Sequence, residues 1–526
     1  MKKLPKGMAD FINIRENDYI YVDKTEYIYK MFAPGEKYFL SRPRRFGKSL
    51  LVSTLKQLFK GNKKLFEGLY IYDKWNWDET YPVIHLDFGT RSKDSPEILT
   101  QSINIFLNNT AEDYQVKIMD NKLLPDRFED LIKKIAKKTG KKLVILIDEY
   151  DKAITDNLSD PDIADANRKI LSKFYEVMKG MDEYIHFIFI TGVSKFPKTS
   201  IFSKLNNLTD LTLNSKYSAI CGYTQEDLEY HFHEHIQELA NSFNSNYNKI
   251  MSLIQLWYNG YSWDGKIKIY NPYSTLLLLF DHDFSNNWFT TGTPRFLIDL
   301  LKEKNNLEPI LKPIKVDKSE FDEFEPLEIK QLPLLFQTGY LTITNIEIDD
   351  SFQREYTLEV PNQEVKKSLL NNLLNIYSQM TYMAVKKTAK TVLEQFQNKD
   401  TQGLNRSIEK VLSQIPYDIH IKHEDYYNSI FLLWLKTLGF NIIGEIQTNI
   451  GRLDALLQYN NQNIVIECKY TKEDDENKLD KCLDEKIKEG FKQINDKNYD
   501  LPFNPETTTQ LVIAFNRKKV KCQFKN

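Results

Sequence analysis

The stretch Lys37 to Leu51, KYFLSRPRRFGKSLL, constrains this chain more than any other. Tyr38, Phe39 and Leu40 form an apolar run that enters a short polar turn. Gly47-Lys48-Ser49 follows, and Leu50, Leu51, Leu55 and Leu58 then recur at helical spacing. A strand, a tight turn and a helix opening on Gly-Lys-Ser make a P-loop. Backbone N–H groups and the helix N-terminus face phosphate oxygens, Lys48 neutralises the β/γ oxygens of ATP, and the Ser49 hydroxyl reaches Mg²⁺. One position departs from the usual pattern: Arg42 stands where a Gly is customary, five residues before Gly47. With Arg44, Arg45 and Lys48 it puts four cations into seven residues, which favours an anion site over a solvated basic turn.

Three more apolar runs follow, Pro82 to Phe88, Leu143 to Ile147 and Ile185 to Ile190, with helical patterns between them. Strands apolar throughout and separated by helices predict a parallel sheet with helices on both faces, an α/β P-loop domain. The run Leu143 to Ile147 ends on Asp148-Glu149. In such a pair the Asp holds Mg²⁺ through water and the Glu polarises the attacking water. A strand ending in Asp-Glu is common by itself; Gly47-Lys48-Ser49 upstream makes it the second half of one site. Thr191 ends the next strand, where a polar residue either senses the γ-phosphate or only caps a turn.

At 526 residues the chain is too long for one core, and 41% hydrophobic with 27% charged residues describes an ordinary globular protein. A net charge of −2 supplies no global field for nucleic acid, so any such contact needs a local basic face. Cys221, Cys468, Cys482 and Cys522 lie far apart and show no zinc spacing. MKKLPKGMADF has no apolar run behind its lysines, and Leu276 to Phe280 is far too short to span a membrane. The expectation is a cytoplasmic protein with no membrane partner.

From about Thr224 helical patterns take over, and Leu332 to Phe336 with the hairpin Tyr340 to Ile348 and Tyr356 to Val360 suggests a winged-helix-like module. The last hundred residues read as a small separate α/β domain. The helix Asp425 to Leu438 is followed by strands Phe440 to Ile446, Leu453 to Tyr459, Ile464 to Tyr470 and Gln510 to Phe515. The expected division is 1–223 P-loop domain, 224–361 helical lid, 362–419 helical connector and 420–526 C-terminal domain.

In the C-terminal part Asp454 and Glu467 fall on neighbouring apolar strands, and Lys469 lies two residues after Glu467, on its face. Charges in apolar strands are costly without a task. Two carboxylates can hold Mg²⁺, with Mn²⁺ as a substitute, and Lys469 can orient or deprotonate water beside it, the arrangement of phosphodiester cleavage. An edge-strand ion-pair cluster is the bland alternative. His231, His233 and His235 lie in a helical pattern that spreads them round the axis, so they are poor metal ligands. Arg517, Lys518, Lys519 and Lys521 form a basic tail that either touches phosphates or keeps the terminus soluble.

Taken together, RPRRFGKSL, YVDKTEYI, LIDEYDKAI, ITGVSKFPKTSIFSKLNNLTDL, WYNGYSW, YNPYS, TGTPRFL, LLFQTGYL and PNQEV resemble a bacterial AAA-ATPase-like family whose members carry a PD-(D/E)XK nuclease domain at the C-terminus. In that family an Arg in place of the first P-loop Gly is usual, and the resemblance implies ATP binding. It also implies a third carboxylate for the C-terminal metal, Glu424 from the first helix or Glu445 from the first strand, and it sets Gln493 and Tyr499 near substrate or metal. The reading is an ATP-gated nuclease acting on nucleic acid, DNA ahead of RNA, in defence or mobile-element biology, with a homo-oligomer compatible. The alternative is a nucleotide-switched DNA-binding protein whose nuclease-like domain does not cut. No arginine finger is assigned; Lys198, Lys204 and Arg295 are the cationic candidates.

Overall fold

The computed structural model describes residues 1–526 apart from 33–35, 92, 121–122, 198–200, 202–207, 289–307, 312, 324–329, 379–386, 414–423, 449–450, 460–461, 474, 498, 500–502, 517–518 and 526. The chain forms two compact units, Met1–Leu297 with Lys315–Val365, and Ile298–Ile314 with Lys366–Asn526.

The first unit is built on five strands, β1 (Lys37–Ser41), β2 (Val83–Asp87), β3 (Leu143–Asp148), β4 (Ile185–Gly192) and β5 (Leu208–Asp210), in the order β2-β3-β4-β1-β5. All neighbours are parallel. Parallel strands need crossovers, and helices Lys48–Phe59, Pro96–Asp113, Leu124–Thr139 and Pro161–Glu176 supply them. Ser95 and Asp160 cap two of these helices and Gly140 closes a third. Every residue of β3 is buried, which is why its sequence is a continuous apolar run. The register pairs Ser41 with Gly192, Leu40 with Thr191, and Asp87 with Asp148. The P-loop, Asp148 and Thr191 therefore share the carboxyl edge of one sheet, where ligands of such sheets bind.

Among the described residues the remainder of this unit is mainly helical, with a small sheet of β6 (Ile314–Asp317), β7 (Thr342–Ile348) and β8 (Arg354–Glu359) in the order β6-β8-β7. Helix Gln331–Gln337 leads into the β7–β8 hairpin as expected. Lys195, just after β4, ties this part to the parallel sheet. Its ammonium lies 2.8 Å from Asp210 and 2.5 Å from Asp322, and its backbone N–H donates to Gln337 at 2.8 Å. The helical pattern through the three histidines breaks at Phe232, between helices Gln225–His231 and His233–Ser242, and His235 Nε2 bonds the Lys2 carbonyl.

The motifs around Trp257 and Pro361 pack on one another. Gly260 has φ +110°, and a Cβ there would come within 2.1 Å of the Pro361 carbonyl oxygen. Gly260→Ala is expected to destabilise this unit by about 3 kcal/mol or more, read as a lower urea midpoint. An unchanged midpoint would contradict this packing.

The second unit holds β9 (Asn441–Thr448), β10 (Gly451–Tyr459), β11 (Gln462–Tyr470), β12 (Thr508–Phe515) and β13 (Val520–Lys525) in the order β13-β12-β11-β10-β9. Only β11 and β12 are parallel, and the long helix Glu476–Asp496 connects them. Leu479, Leu483 and Ile487 from that helix pack on Leu453, Val465 and Val512. β13 is an edge strand. Asn405 and Glu409 of helix Thr401–Leu412 accept the N–H groups of Cys522 and Val520, which blunts that edge. The basic tail is thus partly structural: Lys519 and Lys521 pair with Asp480 and Asp484 at 2.5 Å, and Arg517 and Lys518 lie outside the described residues. Among the described residues no helix is long and apolar enough to cross a membrane, and none of the four cysteines forms a disulfide.

Candidate nucleotide and nuclease sites

Gly47 has φ +92° and stands just before helix Lys48–Phe59, a backbone turn that an L side chain resists. The helix therefore starts with its N–H groups facing a pocket of about 510 Å³. Arg44, Arg45, Lys48, Ser49, Glu149 and Lys152 line it, with Asp87 and Thr90. The Lys48 ammonium donates to the Arg42 and Pro43 carbonyls, each at 2.9 Å. Burial lowers the Lys48 pKa, while Asp148, Glu149 and Asp151 work to keep its charge.

Asp148 is buried at the end of β3, where its Oδ1 accepts the Thr191 hydroxyl and, at 3.0 Å, the Glu149 N–H. Glu149 follows with φ +52°, a left-handed conformation that is strained for this residue. Burial raises its pKa, with Lys48 and Lys152 opposing the shift. Among the described residues Glu149 Oε2 has no hydrogen-bond partner. A methyl group on Gly89 would meet Glu149 Oε2 at 2.8 Å and Asp87 Oδ1 at 3.0 Å, so these two carboxylates converge. Ser49 and Asp148 offer hard oxygen donors that suit Mg²⁺ beside phosphate.

Two expectations need correction. Arg42 does not face the pocket. It is fully buried, donates to the carbonyls of Ser41, Thr212 and Tyr217, and its guanidinium lies 4.0 Å from the centre of the Trp263 ring. Burial pushes its pKa down to about 10, so it stays charged, as a brace between the P-loop and the Trp257 to Trp263 segment. Thr191 does not line the pocket, and neither does Asp148, whose carboxylate accepts the Thr191 hydroxyl just behind the lining residue Glu149. Asp87, Asp151 and Lys152 were not foreseen. Asp151 accepts the Val193 and Ser194 N–H groups, fixing the chain after β4. Asp87 could have been found, since PVIHLD ends on an acid as LVILID does. Lys198, Lys204 and Arg295 lie outside the described residues.

In the second unit the pairing of β10 with β11 ends at Ala455 and Ile466. The next residue on each strand, Asp454 and Glu467, stands where the strands part. Asp454 Oδ2 accepts the Cys468 N–H at 2.8 Å in place of a ladder bond. Lys469 Nζ lies 2.7 Å from Glu467 Oε1 and 3.2 Å from the Cys468 carbonyl, with both side chains buried. Gly444 and Ile446 of β9 pair with Ala455 and Leu453, so the register sets Glu445 opposite Asp454. The row Glu445, Asp454, Glu467 thus crosses three adjacent strands. Tyr499 bonds the Gln493 side chain; burial raises its pKa, and Glu467 and Asp454 add to the rise. Gln493 and Tyr499 therefore sit beside the trio. Glu424 opens helix Glu424–Leu438, and the side chains of Glu424 and Glu445 lie outside the described residues. Among the described residues no three His, Cys, Asp or Glu side chains cluster as a complete metal site. The carboxylates of Asp454 and Glu467 are hard donors, the set that Mg²⁺ takes when it retains several waters.

Residues 5–202 match the family described as a predicted AAA-ATPase, and residues 422–525 match the PD-(D/E)XK nuclease superfamily. The chain is 37% identical over 476 residues to an uncharacterised protein in the vnfD 5′ region of Azotobacter chroococcum mcd 1, covering 89% of each chain. Arg44, Arg45, Lys48, Ser49, Glu149 and Lys152 of the pocket, and the carboxylate–lysine trio where two strands part, lie in these two matched regions. The chain belongs to the AAA-ATPase-like family that carries a C-terminal PD-(D/E)XK nuclease superfamily domain.

Proposed function

We propose that this protein is an ATP-gated, Mg²⁺-dependent nuclease acting on DNA. The observation that carries this reading is the trio in the second unit: two carboxylates and a lysine on β10 and β11, with Asp454 tied to the Cys468 N–H and Lys469 to Glu467. A bound divalent ion would supply an activated water and a counter-charge for the phosphodiester. Asp454 and Glu467 would hold it, Lys469 would orient the water or take its proton, and Gln493 with Tyr499 would border the substrate. Cleavage of plasmid, linear and single-stranded substrates, with and without ATP and Mg²⁺, tests this; no cutting of any of them would refute it.

For the nucleotide, Lys48 and Ser49 would bind the phosphates, Asp148 the Mg²⁺, and Glu149 would polarise the attacking water. Glu149→Gln is expected to keep ATP binding and to lower turnover by roughly 10²–10⁴-fold. The base form of Glu149 is lost as pH falls through its raised pKa. Wild-type turnover should therefore decline on acidification at a pH above the ordinary carboxylate range near about 4.3. A wild-type profile flat to pH 4, or an unimpaired Gln variant, removes Glu149 from this role.

Gating has a physical support inside the first unit. The Trp288 indole N–H donates to the Arg44 carbonyl at 3.2 Å. The Trp288 backbone N–H and the Ser274 hydroxyl donate to Glu364 at 2.8 and 2.9 Å. Burial pushes the Glu364 carboxyl up to about 7. Glu364 lies in the first turn of helix Gln363–Ser378, which carries the chain out of this unit. A shift of the P-loop on binding nucleotide would thus be felt at that helix.

A further inference from the structure

Asp156 is contacted by three cations. Its carboxylate lies 3.1 Å from Lys152, 3.3 Å from Lys93 and 3.8 Å from Arg44. Three positive charges meet on one carboxylate there, and Glu149 is a further acid that Lys152 faces. Such a cluster repels itself unless an anion completes it. Arg44 and Lys152 line the pocket, one from the P-loop and one three residues beyond Glu149. Lys152 is also close enough to oppose the rise in the Glu149 pKa. The segment carrying the cluster is pinned: Asn157 and Asn167 both donate to the Lys93 and Ala153 carbonyls, at 2.8–3.2 Å. The backbone beside Lys93 and Lys152 is therefore fixed, while Arg44 stands on the P-loop.

We propose that Arg44 and Lys152, tethered through Asp156, form a clamp within one chain for the terminal phosphate of a nucleoside triphosphate. This rests on the nucleotide reading of the pocket and extends it. Lys48 answers the β/γ oxygens from the P-loop side, whereas Lys152 stands on the wall of Glu149, where the terminal phosphate meets water. The clamp makes the site discriminate triphosphate from diphosphate, because only the triphosphate brings the anion that the cluster lacks. It also supplies from the same chain the cation that a neighbouring subunit would otherwise have to provide.

The test is calorimetric titration of the full-length protein with a non-hydrolysable ATP analogue and with ADP, both with Mg²⁺. Lys152→Gln and Arg44→Gln should each weaken the analogue on the order of tenfold, the loss of a charge-assisted contact, while ADP stays within about twofold. Lys152→Arg should restore the preference. Equal losses for both nucleotides, or no loss for either, would overturn the clamp. If the wild-type protein binds neither nucleotide, the nucleotide reading itself fails, and the clamp with it.

Discussion

With Lys469→Ala, Mg²⁺-dependent cleavage is expected to fall by roughly 10²–10⁴-fold, the contribution of a positioned proton-transfer group. The same change has a second effect that separates chemistry from folding. Lys469 and Glu467 are both buried, and their atoms lie 2.7 Å apart. Removing the ammonium takes a 2.7 Å ion pair from a buried carboxylate, a loss of about 3–5 kcal/mol. A divalent ion held by Asp454 and Glu467 would replace that charge. The variant should thus unfold at lower urea than wild type without metal and recover much of the difference with Mg²⁺. Asp454→Ala should lose cleavage together with the metal effect, since it would delete a ligand of the proposed ion and removes the carboxylate that accepts the Cys468 N–H. Cleavage persisting in both variants would sink the nuclease assignment.

Lys48→Ala is expected to weaken ATP binding at least about a hundredfold, because two charge-assisted contacts to phosphate are lost at once. In this structure the ammonium is turned onto the Arg42 and Pro43 carbonyls of its own loop. A phosphate that takes up this ammonium would release the two carbonyls, in the loop that also carries Arg44. Arg44 is the residue whose carbonyl Trp288 holds. If that chain transmits occupancy, Lys48→Ala should leave cleavage at one level whether or not ATP is present. ATP-dependence preserved in this variant would separate the two activities and remove the gate.

Much of this was legible along the chain for a plain reason. β1 and β3 are buried throughout and β2 and β4 at most positions, so all four are mainly apolar, and the acids that end β2 and β3 are conspicuous there. β5 and β13 were not legible. β5 is three residues long, and β13 alternates Lys with buried Val and Cys, so both lack the run that marks a central strand. The lysines near the chain end read equally as a phosphate-binding or a solubilising tail, and the structure gives Lys519 and Lys521 partners on helix Glu476–Asp496. Arg42 misled for the opposite reason. A cation among cations suggested phosphate, but its direction depends on Thr212, Tyr217 and Trp263, some 170 residues or more away for the carbonyls.

Sequence alone singled out the residues proposed to hold chemistry: the P-loop reading of Gly47-Lys48-Ser49, its pairing with Asp148-Glu149, and the trio Asp454, Glu467 and Lys469. Local spacing suffices there, because a strand end or a helix start fixes where a neighbouring side chain stands. Only the tertiary structure decided which cations face the pocket, since that depends on strand order and on packing between distant segments. It turned Arg42 into the core, tied Thr191 to Asp148, and gathered Arg44, Lys93 and Lys152 around Asp156. A long charged side chain can point either way from the same backbone position, and what lies within its reach settles the direction.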